Sequence, residues 1–461
     1  MQTTQTLTVE LGTEELPPKS LRNLAATLEQ NATQALEHLG LSYTQCRSYA
    51  SPRRLAIVVT DLVVQQPTQT LERRGPALSA AFDAQGQPKP AATGFARSCG
   101  VSVAELERME TPQGGWLIYR RSSPGQATLA LLPEIIRKIY AELPIAKRMR
   151  WHDGTHEFIR PVHWLLALYG DAIIPLQLYG VTAGHLTYGH RFHHPAALVL
   201  ANADAYPGSL SSMGWVIADF NARQAQILEQ ITAKAKELGG FPLYDAALLD
   251  EVTALVEWPV VITGSFAPEY LALPSEVLIA VMQGHQRYFP LQDAQGQLLP
   301  RFITISNITS RQPEVVQAGN ERVLRPRLAD AAFFWARDQR KSLGERIETL
   351  KSIIYQAKLG TLHAKAGRLA HLSRLLAITL QQDPDLAERA AWLAKTDLTT
   401  DLVGEFPELQ GTLGKYYAHN AGEPEAVAVA LEEHYAPRSS GATLPQSAGG
   451  QILALADKLD T

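Results

Sequence analysis

The stretch GHLTYGHRFHHP crowds His185, His190, His193 and His194 together, and neutral imidazoles at such spacing can share a zinc ion. No cysteine lies nearby to complete a set, and the stretch reads as strand and turn. Packing and surface polar contacts therefore compete with ligation, which requires donors that converge. A second able pair is Glu14 and Glu15 in TEELPPKSL. Two carboxylates can act as general acid and base when they meet in one cleft, which neighbours within one turn rarely do. The same residues suit the start of a helix: acidic groups favour its dipole, proline fits its first turn, and Thr13 can cap.

Positive charge gathers twice. Arg325, Arg327, Arg337, Arg340 and Lys341 fall within RPRLADAAFFWARDQRK. On a helix, Arg337, Arg340 and Lys341 share one face, with Phe334 or Trp335 toward the core. Lys147, Arg148 and Arg150 precede Trp151, whose indole offers a surface for a stacked base. Such local charge meets RNA phosphates, and its grip weakens as salt rises. A solvated helix face or a contact with another subunit explains the same residues. The whole chain gives no global case for nucleic acid, with 42 basic against 46 acidic residues and a formal charge of −4.

These groups need elements to hold them. Leu7, Val9 and Leu11 alternate as in a half-buried strand, and from Pro18 the apolar period lengthens to that of a helix ending near Gly40. RRLAIVVTDL reads as a buried strand. Residues 66–157 are rich in small residues, Gly and Pro, with a turn at Asp83–Gly86, a hairpin in TPQGGWLIYRR and a helix over Leu129–Leu143. Strand patterns resume at FIRPVHWLLALYG. A helix closed by Gly239-Gly240, strands at EWPVVITGSF and RFITISNI, and a turn at Asp293–Gly296 follow. After about residue 312 the pattern is helical throughout, including IETLKSIIYQAKLG, and it stops in mid-helix at LALADKLDT.

The expected fold is thus α+β and multidomain over the first two thirds, followed by an all-α region. The expected divisions are 1–65 with 158–199, an inserted module 66–157, a second α+β domain 200–315, and helices over 316–461, incomplete at the C-terminal end. Two cysteines, Cys46 and Cys99, make no disulfide framework. The N-terminus lacks a signal-peptide layout, and the longest apolar run, near VHWLLALY, is far too short to span a membrane. A soluble cytoplasmic protein with no membrane partner is expected.

The wording of several segments is more specific than their composition. ELGTEELPPKSL, SPRRLAI, RRGPA, AFDAQGQP, GFAR, MRW, FIRPVHW, GHRF, LVEWPVV, YFP, NERVLRPRLADAAFF, LGTL, DLVGEFPELQGTLG and ADKLD occur in that order along the whole chain. The chain resembles the β subunit of bacterial heterotetrameric glycyl-tRNA synthetase. The resemblance implies ATP-dependent joining of glycine to its tRNA in an α2β2 complex. The α subunit would adenylate with ATP and Mg, while β would supply tRNA binding and assembly without a catalytic residue or cofactor of its own. The absence of a G-x-x-x-x-G-K-[ST] loop, of G-x-G-x-x-G after a strand, and of the class I and class II synthetase motifs agrees with that division. The family's β subunit continues into further helical and anticodon-binding parts beyond this end.

The resemblance also implies that the helical region is HD-like. Phosphohydrolases of that fold bind metal through a His, an adjacent His-Asp pair and a later Asp. The positions here are His363, Thr396-Asp397 and Asp457. Thr396 stands where the pair needs histidine, and a neutral hydroxyl is a poor substitute on a transition metal. A metal-dependent phosphohydrolase of HD type is the rival reading, and an RNA-binding or assembly module with no enzyme partner is a third.

Overall fold

The computed structural model describes residues 3–111, 114–152 and 154–461. Two compact units emerge, Met1–Gln226 with Asp250–Pro259, and Ile227–Leu249 with Val260–Thr461. Both mix helices with antiparallel sheet.

In the first unit the alternating Leu7, Val9 and Leu11 lie on strand Thr4–Thr13. This strand is central in a five-stranded sheet, between Arg54–Val63 and Val162–Tyr169, with Gln45–Ser51 and Ala172–Ile173 at the edges. Helix Pro18–His38 lays Leu21, Leu24, Leu28, Ala32 and Leu36 on one face. The other face is covered too: Leu198, Leu200, Ala203, Tyr206 and Leu210 pack on Tyr49, Val58, Leu166 and Leu168. Period-two alternation sends Thr8 and Glu10 away from the first core, and this second cover buries them completely.

A three-stranded sheet of Gln69–Ala77, Gly114–Ser123 and Glu107–Thr111 carries its own small core of Ala81, Ala92, Ala96, Leu106 and Leu117. The hairpin turn at Pro112-Gln113 lies outside the described residues. The helix expected within this module spans Thr128–Ala141, but Leu132, Ile135, Ile136 and Ile139 join the core of the five-stranded sheet. Asn31 on the neighbouring helix donates to the Ile139 carbonyl at 3.1 Å. The apolar stripe matches the long helix beside it, so the division at 157 does not follow the packing.

In the second unit, strands Phe241–Pro242, Phe289–Gln292, Leu298–Ser306 and Val260–Ser265 form a sheet in that order. Helices Pro313–Asp338, Leu362–Thr379, Pro384–Leu393, Thr412–Asn420, Glu425–Glu433 and Ala448–Asp460 follow. Val277, Met282, Phe302, Leu324, Leu369, Leu413, Leu431 and Leu453 belong to one core. The expected boundary at 315 is therefore no break in packing, and the expected domain 200–315 is divided between the two units. The helical region also holds a short ladder, Ile354–Gln356 with Gly360–Thr361, where a single helix was expected. Ile353, Ile354 and Tyr355 favour extended backbone. No helix among the described residues is long and apolar enough to cross a membrane.

Candidate RNA interface and the helical carboxylate cluster

Arg325, Arg327 and Arg337 lie on helix Pro313–Asp338, whose last residue precedes Gln339. Arg340 and Lys341 therefore sit in the turn beyond it, and the shared helical face expected for Arg337, Arg340 and Lys341 does not form. Arg337 pairs with Asp401 and lies over Phe333 and Phe334, 5.7 Å from each ring. Phe334 and Trp335 pack on the core as expected, while Phe333 is 59% exposed. Arg340 and Lys341 are exposed, and no ion pair among the described residues engages them.

Residues two apart on a helix face nearly opposite ways, and Arg325 and Arg327 do so. Arg325 lines a cavity of about 430 Å³ with Phe266, Tyr270 and Glu321, while Arg327 lines one of about 170 Å³ with His285, Asp330 and Phe406. In the first unit Arg150 pairs with Glu157 at 2.6 Å and Arg148 donates to the Ala141 carbonyl at 3.2 Å. Lys147 is exposed, whereas Trp151 packs against the core and offers only part of its ring. Arg325 and Arg327 are exposed as well, and no ion pair among the described residues engages them, so the cations open to RNA phosphate in these two groups are Arg325, Arg327, Arg340, Lys341 and Lys147.

The HD positions do not assemble a metal site. His363 turns to Glu348 at 3.7 Å and to the Trp392 ring. The Thr396 hydroxyl donates to the Leu393 carbonyl at 2.7 Å. Asp397 is fully buried and accepts from the Gly411 amide at 2.6 Å. Burial drives its pKa up to about 6, against the pull of that amide and of Lys395. Gly411 sits at φ 81°, and a Cβ there would lie 2.7 Å from the Tyr435 ring, so only glycine presents its amide here.

Asp457 is held by two ammonium groups, Lys365 at 2.8 Å and Lys395 at 2.9 Å. Burial opposes its charge, but Lys395 and Lys365 hold its pKa down to about 2. Lys395 also donates to His434 Nε2 at 2.9 Å and lies 4.1 Å from the centre of the Tyr435 ring. His434 in turn donates from Nδ1 to the Leu431 carbonyl at 2.8 Å. Burial, reinforced by Lys395, lowers its pKa to about 3, so it stays neutral. Lys365 and Arg368 compensate Asp460. Protein cations already fill the places a dication would take, and the residues do not fit the metal an HD phosphohydrolase needs. Among the described residues no three His, Cys, Asp or Glu groups are placed to hold a metal, and the histidines of GHLTYGHRFHHP are no exception.

Glu14 and Glu15 precede the helix, which starts at Pro18 with no side-chain cap, so they do not cap it. Thr13 donates its hydroxyl to the Glu14 carbonyl at 2.7 Å instead. Glu14 accepts from His163 at 2.8 Å and Arg191 at 3.1 Å, and Glu15 lies 3.3 Å from Arg191.

The model of the family described as glycyl-tRNA synthetase beta subunit matches residues 7–461. The chain belongs to that family. It is 48% identical over 457 residues to the glycine–tRNA ligase beta subunit of Hahella chejuensis, covering 99% of this chain and 66% of that protein. The like-named protein of Chromohalobacter salexigens is 50% identical over 455 residues, with 99% and 66% covered. That of Haemophilus influenzae is 46% identical over 459 residues. The chain spans about 66% of the length of the first relatives.

ELGTEELPPKSL, SPRRLAI, FIRPVHW and LVEWPVV meet around Glu10, Arg54 and Glu257. Arg54 is fully buried, 3.1 Å from Glu10 and 3.2 Å from Glu257. Glu10 also accepts from Thr187 at 2.6 Å, Tyr206 at 2.5 Å and the Trp164 indole. Sequence reasoning missed this triad. Its signal was a charged residue within each of two strands that otherwise read as half-buried or buried.

Proposed function

We propose that this chain is the β component of a glycine–tRNA ligase. It contributes tRNA contacts and an assembly surface, and an α partner carries adenylation with ATP and Mg, in an α2β2 complex of the cytoplasm. The observation that carries this reading is similarity to glycine–tRNA ligase beta subunits over 99% of the chain. The sequence supports the division of labour, because it holds no phosphate-cradling glycine loop. The helices after residue 360 support an HD-like framework whose carboxylates hold lysines, a scaffold rather than a hydrolase.

Arg325, Arg327, Arg340, Lys341 and Lys147 are the phosphate contacts on this reading. Anisotropy titration of labelled glycine tRNA, together with co-purification with the α subunit of a relative, tests it. The expected result is retention of α and tRNA binding that weakens steeply with salt. Failure to retain α, together with no tRNA binding at about 50 mM salt, would overturn it.

A further inference from the structure

A cavity of about 300 Å³ opens in the first unit, lined by Arg53, His163, Trp164, Tyr188, Gly189, Arg191 and Pro195. That volume is at the small end of ligand sites. Its walls are unlike one another. Arg191 is occupied by Glu14 and Glu15, and His163 by Glu14. Each carboxylate keeps further lone pairs for incoming N–H groups.

The cavity is also lined by Arg53. No hydrogen bond or ion pair among the described residues engages its guanidinium, and its Nε is buried without a partner. Its terminal nitrogens are the donors left to meet an incoming acceptor. Burial and Arg191 disfavour its charge, against the pull of Glu257, Glu14 and Glu15, and an anionic or carbonyl-rich ligand would add a direct partner.

The flat surfaces are built in. The Arg53 guanidinium carbon lies 5.7 Å from the Trp164 ring centre, and the Tyr188 ring centre lies 5.0 Å from that of Trp164. Trp164 is fixed from below: a Cβ on Gly12 would lie 1.9 Å from its Cε2, and its indole N–H is held by Glu10. The loop that supplies Arg191 also carries Phe192, 74% exposed, and His193, stacked 4.7 Å from Trp215. Phe192 and His193 thus offer aromatic faces on the same loop as Arg191.

We infer that this cavity is a subsite for one unpaired RNA nucleotide whose base bears an exocyclic amino group. The base would stack at Arg53 and Tyr188, its phosphate or ring carbonyl would meet Arg53, and its amino group would meet Glu14 or Glu15. Unpaired bases are commonly read by aromatic and arginine planes together with hydrogen bonds to their edges. A free nucleotide shares this chemistry, but the aromatic faces on the Arg191 loop favour a strand. The inference rests on the RNA-binding reading above and gives it a location.

The test is fluorescence anisotropy on the whole chain with labelled hexaribonucleotides, single-stranded and duplex, competed by AMP, alongside full glycine tRNA. Oligo-A or oligo-C should bind about tenfold tighter than oligo-U and than duplex, and AMP should compete weakly. Arg53→Gln should lose about tenfold in hexamer affinity, and Arg53→Lys should recover part of it. Equal binding of oligo-U, or AMP binding as tight as the strand, would overturn the inference without any variant. If the chain binds tRNA but Arg53→Gln leaves the hexamer unaffected, this subsite alone is wrong. If it binds no RNA at all, the broader function is wrong.

Discussion

Lys395→Met removes the ammonium that holds Asp457 and His434. A charge-assisted hydrogen bond, 2.9 Å to Asp457, is lost, worth about 1.5–3 kcal/mol. His434 Nε2, in a side chain 1% exposed, loses the donor at 2.9 Å, which costs a further ~1–3 kcal/mol. Asp457 keeps Lys365, so its charge is not stranded, and the methionine preserves the apolar stem. The sum is about 2.5–6 kcal/mol, which spans the range for breaking a buried pair. Two units need not unfold together, so a single global midpoint is a poor readout. Hydrogen exchange followed by mass spectrometry on peptides from 362–379, 384–393 and 448–460 reads the local loss. Protection there should fall about 10²- to 10³-fold or more, while the strand Thr4–Thr13 is unchanged. Protection within about threefold of wild type would refute the claim that lysine serves as the cation of this cluster. Wild-type protection that rises on adding Mn²⁺ would refute it equally, by showing that Asp457 awaits a metal.

Arg54→Met leaves Glu10 and Glu257 buried without their cation, at a cost of about 3–5 kcal/mol; exchange in Thr4–Thr13 and Val162–Tyr169 should quicken, and adding Glu10→Gln and Glu257→Gln should restore much of the protection. Asp397 carries a folded pKa of about 6 against an ordinary 3.8, so the folded state binds its proton more tightly than the unfolded one. Its contribution is complete below pH 3.8 and is lost as pH rises to about 6, a penalty of about 3 kcal/mol at neutral pH. In Asp397→Asn, exchange protection of the helices around it should lose this component of its pH slope. Arg340→Gln with Lys341→Gln should weaken tRNA binding and flatten its logarithmic salt dependence by about two units.

The elements with one clean period were legible. Leu7, Val9 and Leu11 announced a strand, the Pro18–His38 stripe a helix, and both Asp-Ala-Gln-Gly turns form with Asp83 and Asp293 accepting from the amides two and four residues on. Periodicity does not reveal which core an element joins. The stripe on Thr128–Ala141 is equally good for a local or a distant partner, and only packing decides. The same limit hid the Arg54 triad, because alternation says that Glu10 faces away from one core and not that a second layer covers it. In the cluster around Asp457, the spacing of His363, Asp397 and Asp457 was readable, but of the two lysines that neutralise it one, Lys365, sits on helix Leu362–Thr379 and the other, Lys395, in the turn after helix Pro384–Leu393. Glu14 and Glu15 looked like a helix start because Pro17 and Pro18 follow. The helix does start here, with Pro18 in its first turn, but the two carboxylates lie ahead of it and pair with Arg191.

The central claim is that this chain grips RNA and a companion while the nucleotide chemistry lies in the companion. Glycine-dependent exchange of pyrophosphate into ATP, measured with the purified chain, with an α subunit, and with both, addresses it most directly. Exchange absent from this chain alone and present whenever α is supplied is the predicted result. Exchange by this chain alone, at a rate that α does not raise, would contradict it.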